Sequence, residues 1–231
     1  MGSSGKGRGQ GGQLVPTTDR SKLKQRPVTG SLTEWERSTR NGEDSNFEQI
    51  AFFTKEGDPI TGFMGSRHSV AFDPKYADNG NIATHNHPDN DFGGTLSMQD
   101  LKVFANTGLS ELRAFSEQGQ LYSIKAGNNL DRAGLKKWIN TNQKLMQKNF
   151  EKSYDSAYKQ ATTPLKSGEH KGQVKLVNRR TGKVTYRDPM TPSQATRYAR
   201  QYSVGAFERT YKKNLARFGV TYTSTKAGKN A

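Results

Sequence analysis

The chain has no cysteine among its 231 residues, which excludes disulfide bonds and cysteine-ligated zinc. Any metal ion must therefore be bound by histidine, aspartate or glutamate. No run of the sequence approaches the roughly 20 apolar residues that span a membrane, and no signal peptide opens it. We therefore expect a cytoplasmic protein without a membrane partner. Hydrophobic residues make up only 31% of the chain, so we expect tails or exposed helices beside a packed domain.

Acidic residues are scarce at both ends of the chain, whose net charge is +15. Residues 1–30 contain six Lys and Arg and one Asp or Glu, and residues 31–130 contain eight and fourteen. Residues 131–231 contain twenty-two Lys and Arg and six Asp and Glu. This distribution predicts a compact acidic domain with basic attachments. Such attachments either bind an anion, most often nucleic acid, or form a solvated basic face.

Sequence patterns divide the chain into three parts. Residues 1–30 are rich in glycine and cations, which predicts a disordered basic tail. Residues 31–128 alternate between strand and helix patterns, which predicts an α/β or α+β domain with a mixed sheet and flanking helices. Residues 129–231 predict a basic, mainly helical region with one β-hairpin around "RRTGK".

Within the central domain, "EQIAFFT" and "PITGFMG" predict a hairpin, and "NIATHNH" predicts a later strand. Ser97 then has the type and position of a helix cap, followed by an apolar stripe at helical spacing. Near the amino end of the domain, Ser31 and Glu34 have the spacing of a capping box. "ELRAFS" and "LYSIKA" predict a closing hairpin.

Two of the four histidines lie one residue apart in "ATHNHPDNDFGGTLSMQD". On a strand, His85 and His87 leave the same face, so both can reach one ion. Asp100 lies one turn into the helix that follows, where its carboxylate can join them. Three protein ligands leave a fourth tetrahedral position for water, the arrangement of a catalytic zinc site. Taken singly, the histidine pair is also typical of a polar strand end, and Ser97 with Asp100 of a capping box.

"HNHP" followed by "SMQD" resembles the H-x-H-P and S-x-x-D motifs of JAMM-type metalloproteases, which have the MPN or JAB fold. Similar domains occur in bacterial and phage proteins. The resemblance covers about residues 45–128 and implies zinc bound by His85, His87 and Asp100. It implies that Ser97 stabilises the tetrahedral intermediate and that an upstream glutamate is the general acid and base. Glu48 matches this glutamate best, and Glu56 in a predicted turn is the alternative.

The resemblance implies a zinc-dependent peptidase or isopeptidase that hydrolyses an amide bond of a protein or peptide through a zinc-bound water activated by the glutamate. The alternative is a nucleic-acid-associated phage virion or assembly protein, located in the host cytoplasm or the virion, that uses the domain as a scaffold. The letters "HNH" also occur in a nuclease class, but there the three residues are far apart. The segment "PDNDFGGTL" is longer than the family's usual connection, so we expect it to shape the substrate groove. The sequence leaves the oligomeric state and the substrate open.

Overall fold

The computed structural model describes residues 13–88, 95–116, 119–178 and 181–226, without the side chains of residues 206, 207 and 226. The helices of these parts are α1 (Leu32–Asn41), α2 (Met98–Asn106), α3 (Arg132–Thr162) and α4 (Pro192–Leu215). The strands are β1 (Gln13–Pro16), β2 (Gln25–Arg26), β3 (Gln49–Phe53), β4 (Pro59–Met64), β5 (Ser69–Phe72), β6 (Ile82–His87), β7 (Glu111–Ser116), β8 (Gln120–Ala126), β9 (Val174–Val177), β10 (Val184–Arg187) and β11 (Val220–Lys226).

Seven strands form the main sheet in the order β11-β8-β7-β6-β3-β4-β2. Strands β6 and β7 are parallel and are connected through α2, whereas the other neighbours in this sheet are antiparallel. Strand β1 pairs with β5 in parallel, and β9 pairs with β10 as an antiparallel hairpin. The predicted α/β class, the mixed sheet with helices and the carboxyl-terminal hairpin are therefore confirmed.

Local sequence signals placed several elements correctly. The predicted hairpin is β3–β4, whose strands are antiparallel neighbours. At α1, the Ser31 hydroxyl accepts from the Glu34 backbone and the Glu34 carboxylate accepts from the Ser31 backbone. The same reciprocal arrangement joins Ser97 and Asp100 at the start of α2. Each cap satisfies backbone N–H groups that the first turn of a helix leaves without partners.

One face of the sheet packs against α1. Trp35 of α1 lies in a buried cluster with Ala51, Phe53 and Phe115. Beside the cluster, the guanidinium of Arg113 donates to both carboxylate oxygens of Glu36 at 2.8 and 3.0 Å. The Thr84 hydroxyl of β6 donates to the same carboxylate at 2.7 Å. These bonds hold α1, β6 and β7 together on the face opposite the histidines described below.

The structure differs from the prediction of a tail that extends to residue 30. Residues 1–12 lie outside the described residues, but β1 and β2 fall within the predicted tail. Leu14 of β1 has no exposed surface, and β5 supplies the hydrogen bonds of its backbone. The sequence of this segment shows no apolar period, because the segment is ordered by pairing with residues distant in sequence and not by a pattern of its own.

Residues 129–231 do not all form the separate basic region that was predicted. Strand β11 is an edge of the main sheet, where it pairs with β8 over the whole range Val220–Lys226. The chain divides into one compact unit of residues up to 143 and from 210, and a second of Lys144–Arg209 that contains β9 and β10. Within the described parts of the chain, no helix is long and apolar enough to cross a membrane.

Candidate metal centre

Strand β6 presents His85 and His87 side by side on one face of the sheet. Because side chains alternate along a strand, residues 85 and 87 share a face while Thr84 and Asn86 occupy the other. Both histidine side chains are buried, with 0% and 2% of their surface exposed. Their Nε2 atoms lie 2.9 Å apart. The two imidazoles therefore point at one small volume, as the sequence predicted for a shared ligand position.

Glu48 reaches the same volume from the neighbouring strand. Ile50 of β3 lies opposite His85, so Glu48, two residues earlier, belongs to the face that carries both histidines. Its backbone continues the ladder beyond β3, since its N–H donates to Ser66 and its carbonyl accepts from Gly65, both at 2.8 Å. A Cβ at residue 65 would collide with the backbone of Ser69, which explains why glycine occupies this close approach.

Asn86 fixes the segment that carries Glu48. Its side-chain oxygen accepts a hydrogen bond of 2.6 Å from the backbone of Gln49, and its amide donates to the carbonyl of Phe47 at 2.9 Å. These two bonds bracket Glu48 in the sequence. Strand β6 therefore carries the two histidines and also positions Glu48, through Asn86, which lies between the histidines in the sequence.

Asp100 approaches the histidines from the first turn of α2. Its Oδ1 lies 3.3 Å from His85 Nε2, and its Oδ2 lies 3.7 Å from His87 Nε2. Oδ2 also accepts a hydrogen bond of 2.6 Å from the backbone of Ser97, whose hydroxyl accepts from the backbone of Asp100 at 3.2 Å. The helix cap thus orients the carboxylate. The capping-box and metal-ligand interpretations of Ser97 and Asp100 are therefore compatible with each other.

The chemistry of these side chains fits a metal ion. One ligand atom each from Glu48, His85 and His87 lie within 4.8 Å of one another, and Asp100 adds a carboxylate in contact with both imidazoles. Two nitrogens bound to one tetrahedral zinc ion at about 2.0–2.1 Å lie about 3.3 Å apart, close to the observed separation. Glu48 Oε1 is buried and accepts no hydrogen bond from the described residues. The centre therefore has two carboxylates, Glu48 and Asp100, for the role of third ligand.

Burial affects the two carboxyl groups differently. Burial, and after it the charge of Asp100, raises the pKa of Glu48 well above its usual range, against a smaller effect of the hydrogen bond from Gln13. Burial also acts to raise the pKa of Asp100, but the charges and hydrogen bonds of His85, His87 and Ser97 outweigh it and leave that pKa lowered. The pKa of Glu48 therefore lies above its usual range and that of Asp100 below it, which makes Glu48 the weaker acid of the two.

Comparison of the chain with protein-family models, curated proteins and solved structures finds no match. The function of the chain is therefore inferred from the geometry of the centre. That geometry is a buried group of one glutamate and two histidines that can hold a metal ion, in contact with a buried aspartate at a helix cap.

The structure brings together all five residues that the sequence placed at the site. Glu56, the alternative glutamate, instead lies in the exposed turn between β3 and β4, where it pairs with Lys55 at 3.7 Å. The segment predicted to shape the groove lies mostly outside the described residues, which omit 89–94. Sequence reasoning missed Gln13, whose backbone donates to Glu48 Oε2 at 3.1 Å. It also missed Tyr211, a buried residue whose pKa is raised by burial and then by Asp100.

We expect the stability of the metal-free protein to decrease as the pH rises above 4.5, the ordinary pKa of Glu48. The folded chain binds the Glu48 proton more tightly than the unfolded chain does, so raising the pH favours unfolding until Glu48 is ionised in both states. Asp100 acts in the opposite sense, but only below its ordinary pKa of 3.8. Denaturant unfolding with a chelator present, at about pH 5 and about pH 8, measures the effect.

Glu48→Gln cannot ionise, so it should remove most of this pH dependence and make the metal-free protein more stable than the wild type at about pH 8. Glu56→Gln is the matched control, because Glu56 is exposed and should leave the profile unchanged. Equal pH profiles for the wild type and Glu48→Gln would contradict the raised pKa of Glu48.

Proposed function

We propose that the protein is a zinc-dependent peptidase or isopeptidase of the JAMM type. The observation that carries the proposal is the convergence of His85, His87 and Asp100 on one buried volume, with the carboxyl group of Glu48 beside it. The parallel β6–α2–β7 connection supports it, because α2 and its aspartate cap follow the carboxyl end of the strand that carries the histidines. The motifs "HNHP" and "SMQD" lie at these two positions.

In this proposal His85, His87 and Asp100 hold the zinc ion. Asp100 suits this role better than Glu48, because its oxygens contact both imidazoles and its lowered pKa keeps it ionised. When bound, zinc supplies a Lewis acid that polarises a carbonyl oxygen and lowers the pKa of a water molecule to about 7.

Glu48 then acts as the general base and acid. A raised pKa brings a carboxyl group closer to the pH at which it can both take and give a proton, and burial raises the pKa of Glu48. It takes a proton from the attacking water and returns it to the amine that leaves. Ser97 lies beside Asp100 at the start of α2, and its hydroxyl, which is both donor and acceptor, stabilises the oxygen on which charge develops.

The experiment that tests this function measures zinc and hydrolysis on one preparation of the full chain. We expect about one zinc ion per chain and cleavage of members of an internally quenched peptide library. A chelator should abolish cleavage, and added zinc should restore it. A chain that binds no zinc, or a zinc-loaded chain that cleaves no peptide or isopeptide, would contradict the proposed function.

A second candidate function is binding of nucleic acid by the unit Lys144–Arg209. This range contains fourteen Lys and Arg against five Asp and Glu, a net charge of +9. Its hairpin β9–β10 exposes Lys175, Lys183 and Arg187, and His170 stacks on Tyr186 of the same hairpin with ring centroids 3.6 Å apart. Exposed cations beside aromatic rings are typical of surfaces that bind single-stranded nucleic acid.

We expect changing these three cations to glutamine to weaken binding of single-stranded DNA and RNA. The slope of log affinity against log salt should become shallower by about 2, because each lost phosphate contact contributes about 0.7. Fluorescence anisotropy at several salt concentrations measures it. The matched control makes the same charge change at exposed lysines of the other unit, Lys55, Lys75 and Lys125. Equal slopes for both triple variants would exclude the hairpin as the binding surface.

A further inference from the structure

The carboxyl group of Glu48 contacts a backbone N–H that lies 35 residues upstream in the sequence. The backbone of Glu48 is fixed, since its N–H donates to Ser66 and its carbonyl accepts from Gly65. These bonds leave the carboxyl group free to turn, because the last torsion of a glutamate side chain has a broad energy minimum. Among the described residues, the hydrogen bond to this carboxyl group comes from the backbone N–H of Gln13, which donates to Oε2 at 3.1 Å.

Gln13 and Glu48 are anchored to the same turn, which leads into β5. The N–H of Gln13 also donates to the carbonyl of His68 at 2.9 Å, and the N–H of Glu48 donates to the carbonyl of Ser66 at 2.8 Å. Within the turn, the N–H of Ser66 donates to the carbonyl of Ser69 at 2.8 Å. One short hydrogen-bonded turn therefore sets the separation between the donor and the carboxyl group.

Further contacts hold β1 in place without involving Glu48. Gln13 lies opposite Ser69 in the parallel ladder of β1 and β5. The next residue, Leu14, is fully buried, and its carbonyl accepts a hydrogen bond of 3.2 Å from the side chain of Gln99 in α2. The first turn of the same helix presents Asp100. Strand β1 therefore links the donor to Glu48 with the helix that carries the aspartate.

We propose that the backbone N–H of Gln13 positions Glu48 for catalysis, because it holds Oε2 and leaves Oε1 to exchange the proton. Oε1 is buried and accepts no hydrogen bond from the described residues, so it is open to a bond from water. It takes a proton from the attacking water and gives it to the leaving nitrogen, so that Glu48 ends as it began. This inference rests on the proposed peptidase function and makes β1, which lies upstream of the JAMM-like motifs, part of its site.

Gln13→Pro tests this inference, because proline has no backbone N–H. In the full zinc-loaded chain we expect kcat for peptide hydrolysis to fall about 10–100-fold, the effect of a reacting group displaced by about 1 Å. KM should stay within about twofold of the wild-type value, because the loss concerns the transition state and not substrate binding. Zinc content should stay at about one ion per chain. Gln13→Ala keeps the N–H and should keep the wild-type kcat.

Thr17→Pro is the matched control for the lost strand pairing. The N–H of Thr17 donates to the carbonyl of Phe72 at 2.9 Å, so this variant loses a ladder hydrogen bond of the same kind between the same two segments. No described contact joins Thr17 to Glu48, and kcat should therefore change less than about twofold. Thermal unfolding shows whether each variant is folded. If either proline variant unfolds, an ester in place of the amide at positions 13 and 17 removes the N–H without adding a ring and gives the same comparison.

A double variant shows whether the effect of Gln13 depends on Glu48. Gln13→Pro combined with Glu48→Gln should have the residual kcat of Glu48→Gln alone, because two changes that act through one group are not additive. Steady-state kinetics of the wild type, the two single variants and the double variant measure this coupling.

The outcomes separate this inference from the proposed function. If Gln13→Pro hydrolyses peptides as fast as the wild type, or if Thr17→Pro loses as much kcat as Gln13→Pro, the inference is overturned and the peptidase function stands. An equal further loss of kcat in the Glu48→Gln background also overturns it, since the N–H would then act on another group. If the zinc-loaded wild type cleaves no peptide, the proposed function fails and the inference fails with it.

Discussion

Glu48→Gln should reduce peptide hydrolysis by about 10²–10⁴-fold while about one zinc ion remains bound per chain. The expected size is that of a lost general acid and base. Glutamine has nearly the same shape as glutamate and can still accept the hydrogen bond from Gln13, so the surrounding backbone should not move. What the variant lacks is the capacity to take a proton from water and return it to the leaving amine. Steady-state kinetics and metal analysis on the same sample measure the two effects.

The combination of effects distinguishes the two roles open to Glu48. If Glu48 were a ligand rather than the base, as its place in the Glu48–His85–His87 group permits, the variant would lose zinc together with activity. Asp100→Asn gives the complementary comparison, because it should lose zinc if Asp100 is the third ligand. Glu56→Gln should change neither quantity. Undiminished turnover in zinc-loaded Glu48→Gln would show that another group is the base.

His87→Ala should lower zinc content from about one ion per chain to a small fraction of that value. The substitution removes one of the two imidazoles that face each other at 2.9 Å and leaves an incomplete ligand set. An ion that binds only the folded chain stabilises it. Zinc at one hundred times its dissociation constant should therefore add about 2.7 kcal/mol to the free energy of unfolding of the wild type. This stabilisation should be absent in the variant. Thermal unfolding with and without added zinc measures it.

His68→Ala is the matched control for this prediction. His68 has an exposed side chain near β5, and only its backbone carbonyl is required for the contact with Gln13. Its zinc content and its stabilisation by zinc should equal those of the wild type. If His87→Ala bound as much zinc as His68→Ala, the metal would have to be held elsewhere in the chain.

Much of the site was predictable because its signals are local. The spacing of His85 and His87 needs only the period of a strand, and Asp100 needs only the cap that begins at Ser97. Glu48 was harder to predict, because its place depends on β3 and β6 being neighbours with Ile50 opposite His85. In the sequence it was distinguished from Glu56 only by its position at the start of an apolar run.

The contribution of β1 could not be predicted from its own residues. Nothing in "QLVP" distinguishes it from the surrounding polar segment, and its order comes from pairing with β5 and from burial of Leu14. The place of β11 in the main sheet was missed for the same reason, because that pairing joins residues about a hundred positions apart. Pairing between distant segments depends on the whole fold, whereas caps and periodicity depend on neighbours in the chain.

The side chains on the opposite face of β6 protect the strand against slippage. A shift of a single position would exchange the faces of the whole strand and turn both histidines away from Asp100. The same shift would separate Thr84 from Glu36 and Asn86 from the backbone of Gln49. An incorrectly aligned strand would thus bury polar groups without partners, at about 1–3 kcal/mol each. A shifted register of β6 therefore lowers the stability of the fold even without a metal ion, and the residues responsible take no part in the chemistry.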